Sequence, residues 1–403
     1  MMNNTQAAPE HTVSSAKAQF PGSDGQTYVN VSARGLLPAC ARQAIDELLD
    51  ARMAGGDKEY MFEIVARARR KFAKHIGAHE DEIAITKNIS DGLNAIAAAI
   101  PWRKGDKVIL CSALEHPNNV YPWLLQAMRH GVELVDVPPD GRAMPVRRMT
   151  ELVDARTRVV TLSTVTFGTG YRSSTALLSE ACRAVGTILL VDAAQSAGIL
   201  QTDVSREGID ALVTSTQKGL LGLYGMGFLY CRRKYAEQLV PATLARFGVD
   251  VEAEHEAAMG SKDFTFAKGA RRFDLGNYNF IAAAAVERSL DLIDSVRVGN
   301  IEHHVCALAE RLTAGLQEIG LDTNETGETM AHIVTVGEPG EIHDKTGNPL
   351  LNALYQHLVE NKVNLSIRKG QLRFSMHMYN TSDDIERILD LTAGFPSLSE
   401  LKR

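Results

Sequence analysis

Hydrophobic positions along the chain fall into two recurring patterns. Short unbroken apolar runs, VILC at 108–111, VVTL at 159–162 and ILLV at 188–191, alternate with stretches whose apolar residues return every three or four positions, as at 120–130 and 175–185. Runs of the first kind suit strands buried on both faces, and the second kind suits helices laid on a sheet. Their alternation predicts a mainly parallel α/β sheet covered by helices. Residues 211–214 and 226–230 continue the strand series.

The texture changes after Phe280. Helices are expected at 281–296 and 301–319, strands at 333–336 and 371–378, and a closing helix at 383–391. That order suggests a smaller α+β unit at the end of the chain. The first twenty residues are small and polar, without the apolar stretch of a secretory leader. The expected division is therefore a flexible arm at 1–27, a large unit at 28–280 and a small unit at 281–403.

Composition narrows the function classes. Of 403 residues, 45% are hydrophobic and 23% charged, which is ordinary for a globular chain of two units. Lys and Arg total 43 against 49 Asp and Glu, a net charge of −6, and no long basic run is present. This argues against nucleic acid as a partner. No apolar run approaches the ~18 residues of a membrane span. The five cysteines are scattered without a CxxC pair, so neither a metal site nor a disulfide framework is indicated, and a reducing, cytoplasmic location is expected.

The richest chemistry lies between 187 and 230. The strand at 188–191 delivers Asp192 at its carboxyl end, where open α/β sheets bind ligands. The next strand delivers Ser215, Thr216, Gln217 and Lys218 to the same edge. A structural ion pair is the plain reading of Asp192 and Lys218. However, small and apolar neighbours around Lys218 would desolvate its amine and make it a nucleophile toward carbonyls. Ser215 and Gln217 add donors for an anion. An amine, a separate carboxylate and an anion cradle are the parts that hold pyridoxal 5'-phosphate. A second anion site is expected at Ile89–Ser90, where Ser90 would cap a helix carrying Leu93, Ile96, Ala97 and Ile100 on one face. No GxxxxGK[ST] or GxGxxG motif is present to favour a nucleotide.

Two further candidates stand outside this region. His116, in Glu115-His116-Pro117-Asn118-Asn119, follows the strand at 108–111, suited to stack on a planar group or move protons, or to serve as a plain loop residue. Residues 372–379 alternate, with Leu372, Phe374, Met376 and Met378 on one face and Arg373, Ser375, His377 and Tyr379 on the other. Arg373 is suited to bidentate carboxylate recognition, unless it is simply solvated.

Together these pieces resemble the class V aminotransferase family of fold-type-I pyridoxal-phosphate enzymes, which includes cysteine desulfurases, selenocysteine lyases and isopenicillin N epimerases. The resemblance runs from about residue 28 to 391. It implies a large domain with a mainly parallel seven-stranded sheet and a smaller C-terminal α+β domain. By resemblance, Lys218 is the Schiff-base lysine, Asp192 pairs with the pyridine nitrogen, Gln195 approaches the phenolic oxygen and His116 stacks on the ring. Ile89 through its backbone, Ser90, Ser215 and Gln217 match the phosphate cradle. Asn277, in Phe273-Asp274-Leu275-Gly276-Asn277, is similar to the residue that reaches the phosphate of the other subunit, implying a homodimer with shared active sites. Arg373 matches the clamp for the substrate α-carboxylate.

Two departures from the desulfurases are visible. Their mobile-loop cysteine has no counterpart in NKVNLSIRKGQ at 361–371, and the nearest preceding cysteine is Cys306. Where they carry an Asn contacting cofactor and substrate, this chain has Phe167. Both point to the lyase-like and epimerase-like branches. The family chemistry implies an amino acid replacing Lys218 as an external aldimine, followed by an α-carbanion. Its expected outcome is β-elimination or epimerisation, with transamination as the alternative. The segment 246–272 is expected to cover the substrate and set side-chain specificity; its Arg246, Lys262, Lys268, Arg271 and Arg272 either meet an acidic substrate or form a solvated charged loop.

Overall fold

A computed structural model of the chain describes residues 11–250, 263–324 and 327–401. Seven strands form one sheet: β1 (Ile83–Thr86), β2 (Lys107–Leu110), β3 (Glu133–Asp136), β4 (Thr157–Ser163), β5 (Ile188–Asp192), β6 (Ala211–Ser215) and β7 (Gly227–Cys231). Their order is β1-β7-β6-β5-β4-β2-β3, with only β7 antiparallel to its neighbours. The carboxyl ends of the six parallel strands therefore share one edge.

The unbroken apolar runs do face two cores. Ile109, Val160, Leu162, Leu189, Val191 and Leu212 pack on one side, against helices Lys58–His75, Ala176–Val185 and Phe280–Val296. Val108, Leu110, Val159, Leu190, Ala211 and Val213 pack on the other, against helices Ile89–Ala99 and Tyr121–His130. Alternate residues serving opposite cores is the strand period made visible, and it is why consecutive positions such as Val159 and Val160, or Leu189 and Leu190, are both apolar.

A second sheet of β8 (Ile333–Val336), β9 (Ser366–Arg368) and β10 (Gln371–Ser375) has the order β8-β10-β9, all antiparallel. Helices Val298–Glu318, Pro349–Glu360 and Ser382–Ala393 cover it. The strand expected at 371–378 stops at Ser375, because the His377 N–H is taken by Asn380 Oδ1 (2.9 Å) in a turn rather than by a sheet partner. Helix Phe280–Val296 joins the two units: its first three turns lie under the large sheet, while Leu292, Ile293 and Val296 enter the small unit's core.

The described part of the segment expected to be a flexible arm is instead anchored. Ala16 and Phe20 are buried, and the Phe20 ring lies 4.9 Å from that of Tyr379. Thr27–Tyr28 pairs in parallel with Val363–Asn364. By packing, residues 27–31 thus go with the small unit rather than with the large sheet. Small polar composition suggested an arm, but the buried side chains of Ala16 and Phe20 suffice to anchor it.

Candidate active site

The register of the sheet places the chemistry. Ser163 of β4, Asp192 of β5 and Val213 of β6 lie side by side, as do Ser215 of β6, Gly227 of β7 and Thr86 of β1. Past these strand ends the chain turns into the Lys218 loop, the His116 loop and the helix beginning at Ile89. A cleft of about 320 Å3 opens between these loops and the small unit. Lys218, His116, Gln195, Phe167 and Arg373 line it, together with Asn30, Ser32, Ala33, Arg34, Tyr224 and Arg368.

The Lys218 loop is held from several directions. Gly35 N–H donates to Gln217 O (2.8 Å), Thr216 N–H to Met226 O (3.1 Å), Ser289 Oγ–H to Leu221 O (2.9 Å) and His377 Nε2–H to Gly219 O (2.9 Å). Gly198 has φ +84°, and a Cβ there would sit 2.3 Å from Gly219 O. Only glycine allows that backbone approach. Burial pushes the Lys218 amine down to about 8; the Asp192 charge opposes this, and Arg373 and Arg368 add to it. Burial raises the pKa of Asp192, against a hydrogen bond from Ala194 N–H to Oδ1 (2.8 Å) and the Lys218 charge.

His116 is neutral: burial, then Lys218 and further cations, bring its pKa down to about 4. Its Nδ1 accepts from Asn118 N–H (3.2 Å), so the ring proton belongs on Nε2. Phe167 meets the His116 ring edge-on at 5.1 Å. Arg373 is 1% exposed, with Nε donating to Ser366 Oγ (3.1 Å) and Nη1 to Phe167 O (2.6 Å). Burial, then the Arg368 charge, lower its pKa to about 9.

The anion cradle differs from expectation in one detail. Helix Ile89–Ala99 is capped by Asn88, whose Oδ1 accepts from Asp91 N–H (3.0 Å), so Ser90 sits in the first turn instead of at the cap. Asn outcompetes Ser here because its side chain reaches the third N–H from an extended backbone. Gly92 of this helix lies against Val213 of β6, and a Cβ on Gly227 would touch the Asn88 backbone. The helix therefore begins beside the end of β6, where Ser215 is buried and Gln217 half-buried.

Asn277 is exposed on the loop before helix Phe280–Val296 and does not line the cleft. Arg246, Lys268 and Arg271, expected to cover the substrate, line a separate cleft with Asp81, and Arg272 is buried against Gly269 O and Leu239 O. Lys262 lies outside the described residues. Arg246, Lys268 and Arg271 lie beside Asp81, which precedes β1 and so stands at the end of that strand away from the carboxyl edge. Among the described residues no group of His, Cys, Asp or Glu is arranged to hold a metal, and no helix is long and apolar enough to cross a membrane.

Sequence reasoning passed over several cleft residues. Arg368 lies in the stretch noted only for its missing cysteine, and Arg34 in the Ser-Ala-Arg-Gly segment after Val31. Glu115, beside His116, is buried; its carboxylate accepts from Ser163 N–H (2.6 Å), Ser163 Oγ–H (2.7 Å) and Asn119 Nδ2 (2.8 Å). Its position between an apolar strand and a histidine was the available signal.

The residues fit a planar, anionic aldehyde cofactor. A buried Gln195 Oε1 and the Ser32 Oγ beside it have no hydrogen-bond partner, while Gln195 Nε2 donates to Ser32 O (3.2 Å). Unpaired buried polar atoms in a cleft with a depressed lysine are what a polar ligand would satisfy. A seven-stranded sheet of this order, with a lysine loop after β6 and an acid after β5, is the architecture of the fold-type-I pyridoxal-phosphate enzymes. The chain belongs to the class-V aminotransferase family, whose model matches residues 37–388. It is thus an enzyme that uses pyridoxal phosphate and acts on amino acids.

Its relatives carry more than one description. It is 28% identical over 393 residues to YcbU, an uncharacterized aminotransferase of Bacillus subtilis, covering 96% of this chain and 98% of that one. It is 29% identical over 330 residues to a probable cysteine desulfurase of Methanothermobacter thermautotrophicus, covering 79% and 80%. The cysteine desulfurase of Thermococcus onnurineus NA1 has the same fold at 23% identity, with a TM-score of 0.82 over 96% of this chain and 98% of that one. The cystine C–S lyase C-DES, solved with cysteine persulfide, gives 0.83 at 23% identity over 94% and 100%.

Proposed function

We propose that this protein is an amino-acid lyase that expels a side-chain substituent by β-elimination, carbon–sulfur cleavage being one form. Epimerisation is the outcome when the side chain has no leaving group. The observation that carries the reading is that Lys218, His116, Gln195 and Arg373 meet in one cleft that no cysteine lines. Burial raises the pKa of every thiol in the chain, Cys306 and Cys111 to about 11 and Cys182 to about 12, so none is a ready thiolate. This disfavours a desulfurase that hands sulfur to its own cysteine, and it favours the kind of activity named for C-DES.

In this reading Lys218 would hold the cofactor aldehyde, Asp192 would pair with its pyridine nitrogen, Gln195 with its phenolic oxygen, and His116 would stack on its ring. The Ile89 N–H, Ser90, Ser215 and Gln217 hold the phosphate. Bound pyridoxal phosphate supplies an electron sink that lets a bond at the α-carbon break. Arg373 grips the α-carboxylate through its remaining N–H groups and fixes which α-bond is presented. Lys218 Nζ, freed when the substrate amine takes its place on the cofactor, would take the α-proton, and an amine with a pKa near 8 is matched to that task near neutrality. Neutral His116 carries a proton on Nε2 for the departing group. Phe167, packed against His116, borders the substrate.

Exposed Asn277, outside its own chain's cleft, supports a homodimer in which it reaches the phosphate of the second copy. Five free cysteines fit a cytoplasmic enzyme. Transamination is the second reading, favoured by the near full-length similarity to YcbU. An absorbance scan tests the common ground: loading with pyridoxal phosphate should give a visible band that Lys218→Ala lacks. Keto-acid and ammonia formed without an added acceptor would support the lyase. Amino transfer to an added keto-acid would support the second reading, and efficient sulfane sulfur from cysteine would overturn the first.

A further inference from the structure

The cleft holds more positive charge than an ordinary amino acid can answer. Arg34, Lys218, Arg368 and Arg373 line it, and among the described residues no Asp or Glu does. In the reading above, Lys218 and Asp192 are engaged with the cofactor, and Arg373 takes one α-carboxylate. Arg34 and Arg368 are then left over. Arg368 donates Nη1 to Ile367 O (2.7 Å), a neutral carbonyl, and among the described residues neither arginine makes a salt bridge. The rim adds to the imbalance, since Lys369 lies over the Phe167 ring at 6.0 Å.

The hairpin of β9 and β10 sets the spacing. Arg368 pairs with Gln371 and Ser366 with Arg373, so Arg368 and Arg373 are diagonal neighbours on one face. Such diagonals lie roughly 7–8 Å apart, a separation that two acidic groups of one small molecule can span. Each guanidinium is a rigid fork matched to carboxylate or phosphate oxygens. Arg368 also bears on Arg373 as the largest like-charge influence on it, a repulsion that a single α-carboxylate would only half relieve.

We infer that the substrate is an α-amino acid with a second anionic group on its side chain, held by Arg368 and Arg34 at the mouth of the cleft. This rests on the roles proposed for Lys218 and Arg373. Neutral amino acids leave half-buried Arg368 and exposed Arg34 without the anion that an acidic side chain would bring, which is the basis of discrimination.

Spectral titration of the holoenzyme tests this, with aspartate and O-phosphoserine as probes against asparagine and serine. The acidic member of each pair is expected to perturb the visible band with a Kd about tenfold or more below its neutral counterpart. Arg368→Gln and Arg34→Gln should each shrink that ratio, and the double variant should bring it near one. Retention of the visible band reports an intact site; should the double variant lose it, the single variants carry the comparison. Equal responses to acidic and neutral probes in the native enzyme, or a preference that Arg368→Gln leaves undiminished, would overturn the inference alone. A native protein that forms no band on loading would overturn the reading of Lys218, and this inference with it.

Discussion

Arg373 Nη1 donates to the carbonyl oxygen of Phe167 across 2.6 Å, tying the small unit's sheet to the loop that follows β4 in the large one. With Nε fixed on Ser366 Oγ (3.1 Å), the guanidinium has its position set before substrate arrives. Lysine cannot reproduce two fixed bonds and still reach a carboxylate. Arg373→Lys is therefore expected to raise KM and lower kcat/KM by about 10- to 100-fold, the scale of a lost charge-assisted bond. Steady-state kinetics on any accepted amino acid reads it, and an unchanged KM would refute the clamp.

Lys218 gives a pH signature. With its pKa down at about 8, roughly a tenth of the amine is neutral at pH 7, whereas an ordinary lysine has under about a thousandth. The cofactor-free protein should take up pyridoxal phosphate at a rate that rises through pH 8 and levels above it. A rate still climbing at pH 10 would place the amine in ordinary surroundings.

Glu115 should govern stability with the opposite proton sense. Burial, then the nearby Asp192, push its pKa up to about 7, while Ser163 and Asn119 hold the charged form. A carboxyl raised above its unfolded value costs stability as pH climbs from about 4.5 to 7, and the whole cost is present above 7. Glu115→Gln removes that slope while also losing carboxylate hydrogen bonds. Its stability relative to the native chain should thus improve by up to about 3 kcal/mol between pH 5 and 8, as followed by urea denaturation. Parallel pH curves would exclude a titrating Glu115.

Gly198→Ala should be among the most damaging small changes. Its positive φ and the 2.3 Å approach to Gly219 O leave no room for a methyl group without moving the Lys218 loop. A loss of about 3 kcal/mol or more is expected, with weaker cofactor retention. Ala substitution at Gly186, whose φ is also positive but whose Cβ would meet nothing within 4 Å, should be milder and leave cofactor retention intact.

Much of this was legible before any tertiary contact was known. Strands at 159–162 and 188–191 read from unbroken apolar runs extend by a residue or two to Thr157–Ser163 and Ile188–Asp192, and Asp192 and Lys218 fall at one sheet edge as their spacing suggested. The cap at Ser90 was misplaced by two residues because Asn88 competes for the same N–H groups, and propensity alone ranks the two nearly equal. Cations at 246–272 looked like a substrate cover because charge in sequence carries no direction.

By itself, then, the sequence determined several strands and helices, such as those at 159–162, 188–191 and 281–296, and the loops that follow Asp192 and Ser215, since those depend on periods of two and 3.6 residues read locally. It also determined the family, through residues clustered within short segments. Only the tertiary structure decided that Arg34 and Arg368, 334 positions apart, share a cleft with Lys218, and that Thr27–Tyr28 pairs with Val363–Asn364. It likewise placed Glu115 against Ser163 beside Asp192. Such meetings are settled by how cores pack and how strands are ordered, and a pattern that repeats every few residues holds no information about partners hundreds of positions away.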